Sequence, residues 1–260
     1  MLPPFLGQVQ DNRRRWSRQC PREGTFGGTV AFFAWRQLAG REGWRKLQSL
    51  TRKLMPLSDQ DFWNGRFASE SYVFGTRPAA FLVDNAPYIP PRSRVLVPAD
   101  GEGRNSVFLA EMGHRVVATD LAEAGIAKAQ KLADARGVSG EFRHLDLQGW
   151  QWPQAAFDAV VAVFIQFAPP AFRDEIFAGM KRTVRPGGVV LLHGYTPKQL
   201  EYRTGGPSAV EQLYTEALLR AAFGDWDLLR IEAYERELDE GQGHKGPSAV
   251  IDMIARRPEG

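Results

Sequence analysis

The spacing of apolar positions changes character along this chain. From Arg94 onward, short apolar runs bounded by turn residues alternate with longer segments whose apolar residues recur every three or four positions, the pattern of strands exchanging with helices. Arg94–Pro98, Arg115–Thr119, Glu141–His144, Phe157–Phe164 and Val189–His193 read as strands. Gly103–Met112, Ala122–Arg136, Pro170–Thr183 and Glu211–Phe223 read as helices, with Arg185-Pro-Gly-Gly188 as the stop of the third. Phe157–Phe164 and Val189–His193 are apolar almost throughout, which suits parallel strands covered on both faces. Asp227–Arg236 and Ser248–Ala255 alternate instead, across a polar glycine-rich turn, as an antiparallel closing pair does. The predicted fold is a Rossmann-like α/β protein: a three-layer α/β/α sandwich around a seven-stranded, mostly parallel sheet with an antiparallel last strand.

The first 54 residues lack this order. They carry Arg13-Arg14-Arg15 and scattered Gly, Pro and Trp, with one possible helix at Thr29–Leu54. We expect residues 1–54 to be a basic, disordered extension and residues 55–260 to be the folded domain. Met55-Pro-Leu-Ser58 reads like a natural start, and an Arg-rich, acid-poor lead also suits a transit segment or a docking arm. Residues 1–60 hold a net charge of +7, which leaves −4 for the rest. A mildly acidic folded part argues against a nucleic-acid partner. Cys20 is the single cysteine, so an intrachain disulfide and a thiolate metal centre are excluded. No apolar run reaches the roughly 18 residues that a membrane helix needs. The expected setting is the cytoplasm, with no membrane partner and no metal; nothing in the pattern sets an oligomeric state.

The chemistry concentrates in Val95-Leu-Val-Pro-Ala-Asp-Gly-Glu-Gly-Arg-Asn105, a strand, glycine loop and helix start, with Asp120 ending the next strand. Glycines let a ligand approach the backbone at the strand end, and the acid accepts hydrogen bonds from ribose hydroxyls, so a nucleoside cofactor is implied. A dinucleotide loop would carry a third glycine, and Gly101-Glu-Gly-Arg-Asn105 lacks it. An NAD-dependent oxidoreductase is therefore the weaker alternative.

The stretch from Val95 to Asp120 resembles motif I and the acidic second-strand end of class I S-adenosylmethionine-dependent methyltransferases. Pro98 and Gly113-His-Arg-Val-Val117 are similar to the thiopurine methyltransferase and tellurite-resistance group, as are Asp61–Phe67, Phe74-Gly75, Tyr195–Leu200 and Glu235–Gly246. Two positions depart from the motif: Val97 stands for its first acid and Ala99 for its first glycine. The resemblance implies S-adenosylmethionine as cofactor. It places Ala99, Asp100, Gly101, Gly103, Asn105, Asp120 and Leu121 around the cofactor, Asp146 and Leu147 beside adenine, Trp63 and Phe74 as a lid, and Phe164 at the fourth strand end.

Methyl transfer from a sulfonium asks a protein mainly for alignment and exclusion of water. A soft nucleophile such as a thiol, a selenol, or a tellurium or selenium oxyanion needs little help losing a proton, in keeping with a sequence that offers no obvious base. Among four histidines, His193 ends the fifth strand and His244 lies in the closing turn, so both are candidates to face a small-molecule acceptor. Gln166 follows the fourth strand, and Tyr195, Tyr202 and Arg203 belong to a loop long enough to shape an acceptor pocket. The rival acceptor is an oxygen or nitrogen nucleophile of a small metabolite.

Overall fold

The computed structural model describes residues 58–259. The expectations for the basic N-terminal stretch, its helix at Thr29–Leu54 and a start at Met55 fall outside those residues.

Seven strands form one sheet in the order β3-β2-β1-β4-β5-β7-β6. They are β1 (Arg94–Pro98), β2 (Arg115–Asp120), β3 (Glu141–His144), β4 (Phe157–Val163), β5 (Val184–Tyr195), β6 (Asp227–Asp239) and β7 (Lys245–Arg256). β1 pairs in parallel with β2 and β4, β2 with β3, and β4 with β5; β7 runs antiparallel to both β5 and β6. This is the predicted architecture.

Period-two alternation sends successive side chains to opposite faces and builds two cores. Leu96, Val160, Ala162, Val190, Leu192, Ile251 and Met253 face α5 (Pro170–Thr183) and α7 (Glu216–Phe223), which contribute Ile176, Met180, Leu219 and Phe223. Val95, Val97, Val116, Ala159, Val161, Leu191 and Ile254 face α2 (Ala80–Asn85) and α3 (Arg104–Glu111), which contribute Phe81, Leu82 and Leu109. α4 (Glu123–Arg136) packs beside α3 through Val107, Leu132 and Ala133. Each fully buried Leu or Phe here adds about 1.5 to 3 kcal/mol of transfer free energy.

Local chemistry moves several predicted boundaries. The helix expected from Glu211 begins at Glu216, because the Thr215 hydroxyl accepts the Leu218 N–H at 3.1 Å and caps the chain there; Val210–Gln212 is a separate single turn. Arg185-Pro-Gly-Gly188 does not end α5 outside the sheet but lies within β5, where the register against β4 shifts and Gly187 takes φ +75°. β6 and β7 outrun their predicted lengths, so the glycine-rich turn shrinks to residues 240–244. Three helices had no sequence assignment, α2 among them. α1 (Asp59–Phe67) is capped by Ser58, whose hydroxyl accepts the Asp61 N–H, and α6 (Gln199–Tyr202) is one turn inside the loop after β5.

Strand order reverses beside β1, which lies between β2 and β4. Ligands of such sheets bind outside the carboxyl ends of the strands at that reversal. Two non-glycine residues with positive φ mark the spot: Ala99 (φ +49°) just after β1 and Phe164 (φ +55°) just after β4. Each such residue costs on the order of 1 to 3 kcal/mol, a strain that clusters at ligand sites.

Candidate active site

A cavity of about 660 Å³ opens at the reversal point, within the usual size range of small-molecule sites. Its floor is the loop after β1. Gly103 starts α3 at φ +91°, and a Cβ there would lie 2.6 Å from the Ala129 Cα, so only glycine lets α3 and α4 close on each other. The Gly101 N–H donates to Asp120 Oδ2 and the Ala122 N–H to Asp120 Oδ1, both at 2.8 Å. Each of those oxygens keeps a second lone pair, and the residue forms part of the cavity wall. Burial raises the Asp120 carboxyl above its ordinary value, against backbone N–H bonds that lower it.

Asp100 sits one step deeper. Its Oδ1 is buried without a hydrogen-bond partner among the described residues, while Oδ2 lies against the Ser106 hydroxyl. Burial, with the neighbouring Asp120 adding to it, pushes this carboxyl up to about 7 despite the Ser106 contact.

One wall of the cavity comes from segments far apart in sequence. On α1, Trp63 stacks on Phe67 at 5.6 Å, the spacing of one helical turn. Phe67 meets Phe74 edge-on at 6.2 Å, Phe74 stacks on His244 at 4.6 Å, and His244 stacks on Phe164 at 4.1 Å. The turn between β6 and β7 approaches Phe74 so closely that a Cβ on Gly243 would fall 2.3 Å from its ring. The outcome is an aromatic wall from α1 to the end of β4.

The cavity gathers most residues singled out in the sequence: Trp63, Phe74, Ala99, Asp100, Gly101, Asn105, Asp120, Leu121, Asp146, Leu147, Phe164, Gln166, Tyr195 and His244 all line it. Gly103 does not, since its place is the contact between α3 and α4. His193 does not either. Its position in β5 points it at the α2 face, where it is 1% exposed, stacks on Phe81 at 4.8 Å and places Nδ1 2.7 Å from Asp252 Oδ1. Tyr202 and Arg203 are also outside the wall: α6 directs the Tyr202 hydroxyl to Glu235, and Arg203 closes α6 in the left-handed conformation. Gln166 lines the cavity but spends its amide on the backbone, donating to Tyr195 O at 2.9 Å and Gln212 O at 3.2 Å while accepting the Tyr195 N–H.

Other wall residues were not singled out one by one from the sequence. Phe67 could have been found from its i, i+4 relation to Trp63. Arg66, Glu102, Arg104, Phe167, Phe172, Gly206 and Gln212 depend on tertiary packing.

Residues 95–188 match a family model described as a methyltransferase domain. That match marks residues 95–188 as a methyltransferase domain. A demethylmenaquinone methyltransferase from Thermus thermophilus is 32% identical over 106 residues, 40% of this chain and 48% of that protein. The chain spans only 39% to 48% of the length of such curated relatives. Among solved structures, TehB from Haemophilus influenzae aligns with TM-score 0.57 and 22% identity over 76% of this chain and 66% of that one. Magnesium protoporphyrin IX methyltransferase from Synechocystis, solved with S-adenosylhomocysteine bound, aligns with TM-score 0.51 and 16% identity over 88% and 94%. These two likenesses establish a shared fold.

The wall suits S-adenosylmethionine as the cofactor of such a domain. Asp120 has free lone pairs for ribose hydroxyls, the Ala99–Gly101 loop lets a ligand reach the backbone, and neutral aromatic faces suit a sulfonium cation. Asp146 is exposed, with Oδ1 accepting the Gln148 N–H at 2.8 Å, so it can use Oδ2 toward an exocyclic amine.

Proposed function

We propose that the protein transfers the methyl group of S-adenosylmethionine to a soft nucleophile on a small acceptor: a thiol, a selenol, or a tellurium or selenium oxyanion. The observation that supports this most is how little base the acceptor side of the cavity offers. Gln166 is committed to the backbone, His193 is sealed beneath Phe164, and the His244 Nδ1 is tied to Tyr195 at 2.6 Å. Burial holds His244 well below its ordinary value, and the charges of Arg104, His193 and Arg66 reinforce this. When bound, S-adenosylmethionine supplies an electrophilic methyl on a cationic sulfur. The protein's part is to hold the nucleophile in line, exclude water with the Trp63, Phe67 and Phe74 lid, and leave an already ionised acceptor unhindered.

A screen of small thiols, selenols, chalcogen oxyanions, amines and phenols, read as S-adenosylhomocysteine released, tests the proposal. Turnover confined to amines or phenols would overturn it. One observation favours a harder oxygen or nitrogen acceptor: Asp100, pushed up to about 7, belongs to the wall and could take a proton near neutral pH. Its free oxygen is buried, which makes this the second reading. Asp100→Asn separates the two, abolishing turnover if Asp100 is a base and sparing thiol methylation if it is not.

A further inference from the structure

We propose that the free edge of His244 and the guanidinium of Arg66 form an anion-binding subsite that selects a negatively charged methyl acceptor; this rests on the methyltransferase reading above.

Three contacts determine what His244 can offer. Its two ring faces are covered by Phe74 and Phe164, and its Nδ1 edge by the Tyr195 hydroxyl, so only the Nε2 edge remains for the cavity that the residue lines. The Tyr195 hydroxyl has no other acceptor among the described residues, and burial keeps it protonated by raising it above the ordinary phenol value. Tyr195 is therefore the donor and Nδ1 the acceptor, which places the ring proton on Nε2. Nε2 has no partner among the described residues, although His244 is only 8% exposed. That N–H opens on the cavity, where it can donate to a ligand.

Arg66 supplies the charge. It lies 5.4 Å from the Phe74 ring and 5.7 Å from Trp63, and a Cβ on Gly243, the residue before His244, would sit 3.3 Å from its terminal nitrogen. No carboxylate pairs with it among the described residues, whereas Arg104 has Glu240 at 2.9 Å, and Glu102 is bound to Lys128 and the Phe74 N–H. Of the other wall acids, Asp120 ends β2 and Asp146 follows β3, on the other side of β1 from this hairpin, and Asp59 lies two turns before Arg66 at the start of α1. At this end the wall presents donors and a cation. An anionic group is favoured there and an ammonium is opposed.

The test compares three isosteres, 3-phenylpropanoate, 3-phenylpropanamide and 3-phenylpropylammonium, binding by calorimetry to protein saturated with S-adenosylhomocysteine. The carboxylate is expected to bind at least tenfold more tightly than the other two. Arg66→Met, at an exposed position that does not threaten folding, and His244→Phe, which retains the aromatic stack, should each reduce that preference below threefold; Arg66→Lys should retain part of it. Equal binding of the three probes, or an undiminished preference in Arg66→Met, would overturn the proposal. So would carboxylate binding that occurs without S-adenosylhomocysteine and disappears with it, since Arg66 would then serve the cofactor's own carboxylate. Failure of S-adenosylhomocysteine to bind at all would bring down the methyltransferase reading and this subsite with it.

Discussion

Lys128 Nζ lies 2.6 Å from Glu102 Oε1, and the second oxygen of that carboxylate accepts the Phe74 N–H. One buried anion thus ties the glycine loop to α4 and to the aromatic wall at Phe74. Removing a partner from a buried pair leaves an uncompensated charge, so Lys128→Met should destabilise the protein by about 3 kcal/mol in urea unfolding. Adding Glu102→Gln should recover part of the loss, because the stranded charge is then gone. A single mutant within about 0.5 kcal/mol of the parent would show that solvent reaches this pair and screens it.

Asp120 works on both sides of its carboxylate, organising the loop through Gly101 and Ala122 and facing the cavity. Asp120→Ala should weaken S-adenosylhomocysteine binding by about 1.5 to 3 kcal/mol, as expected for lost hydrogen bonds to a charged group. Calorimetry reads this directly, and unchanged affinity would place the ribose elsewhere.

The sheet was legible because β1, β2, β4 and the second half of β5 are runs of apolar residues bounded by turns, and the glycine loop with Asp120 located the cavity at one sheet edge. What escaped was tertiary. His193 was a candidate to face the acceptor because it ends a predicted strand, but β5 continues to Tyr195, and at position 193 the pleat points to Phe81. Arg66 and Phe67 lie on a helix whose apolar face is too weak to stand out, and Gln212 was read as part of a helix that Thr215 starts later. His244 owes its place to the close packing of the 240–244 turn on Phe74, which the residue spacing of that turn does not disclose.

Trp63 is only half-buried and stacks on Phe67 at the cavity mouth, so it contributes more to closing the site than to the core. Trp63→Ala should weaken cofactor binding about tenfold, the equivalent of roughly 1.4 kcal/mol, with little change in melting temperature. Parent-like affinity in the variant would mean that α1 does not close over the cofactor.

Asp100 gives the fold a pH dependence of definite sign. Burial pushes its carboxyl up to about 7 in the folded chain from the 3.8 of a free aspartate, so folding favours the protonated form. The Ser106 hydroxyl explains why that form fits: its oxygen lies against Asp100 Oδ2 and 3.1 Å from Gly103 O, and its one proton serves one of them at a time. A protonated Asp100 donates to Ser106 and lets Ser106 donate to Gly103, whereas the carboxylate competes for the proton and leaves Oδ1 charged, buried and unpaired. For a raised folded value, the stability contribution is complete below the unfolded value and is lost as pH rises through the folded one, a window from about pH 4 to 7. Between pH 5.5 and 8 the parent should lose about 2 kcal/mol through this group, at 1.36 kcal/mol for each unit up to its folded value. Asp100→Asn carries a neutral amide that can donate to Ser106 at any pH, so the variant should lack that part of the slope and exceed the parent in stability at pH 8. Urea unfolding of both proteins at the two pH values gives the difference, and parallel pH profiles would show that Asp100 is ionised and solvated in the folded chain.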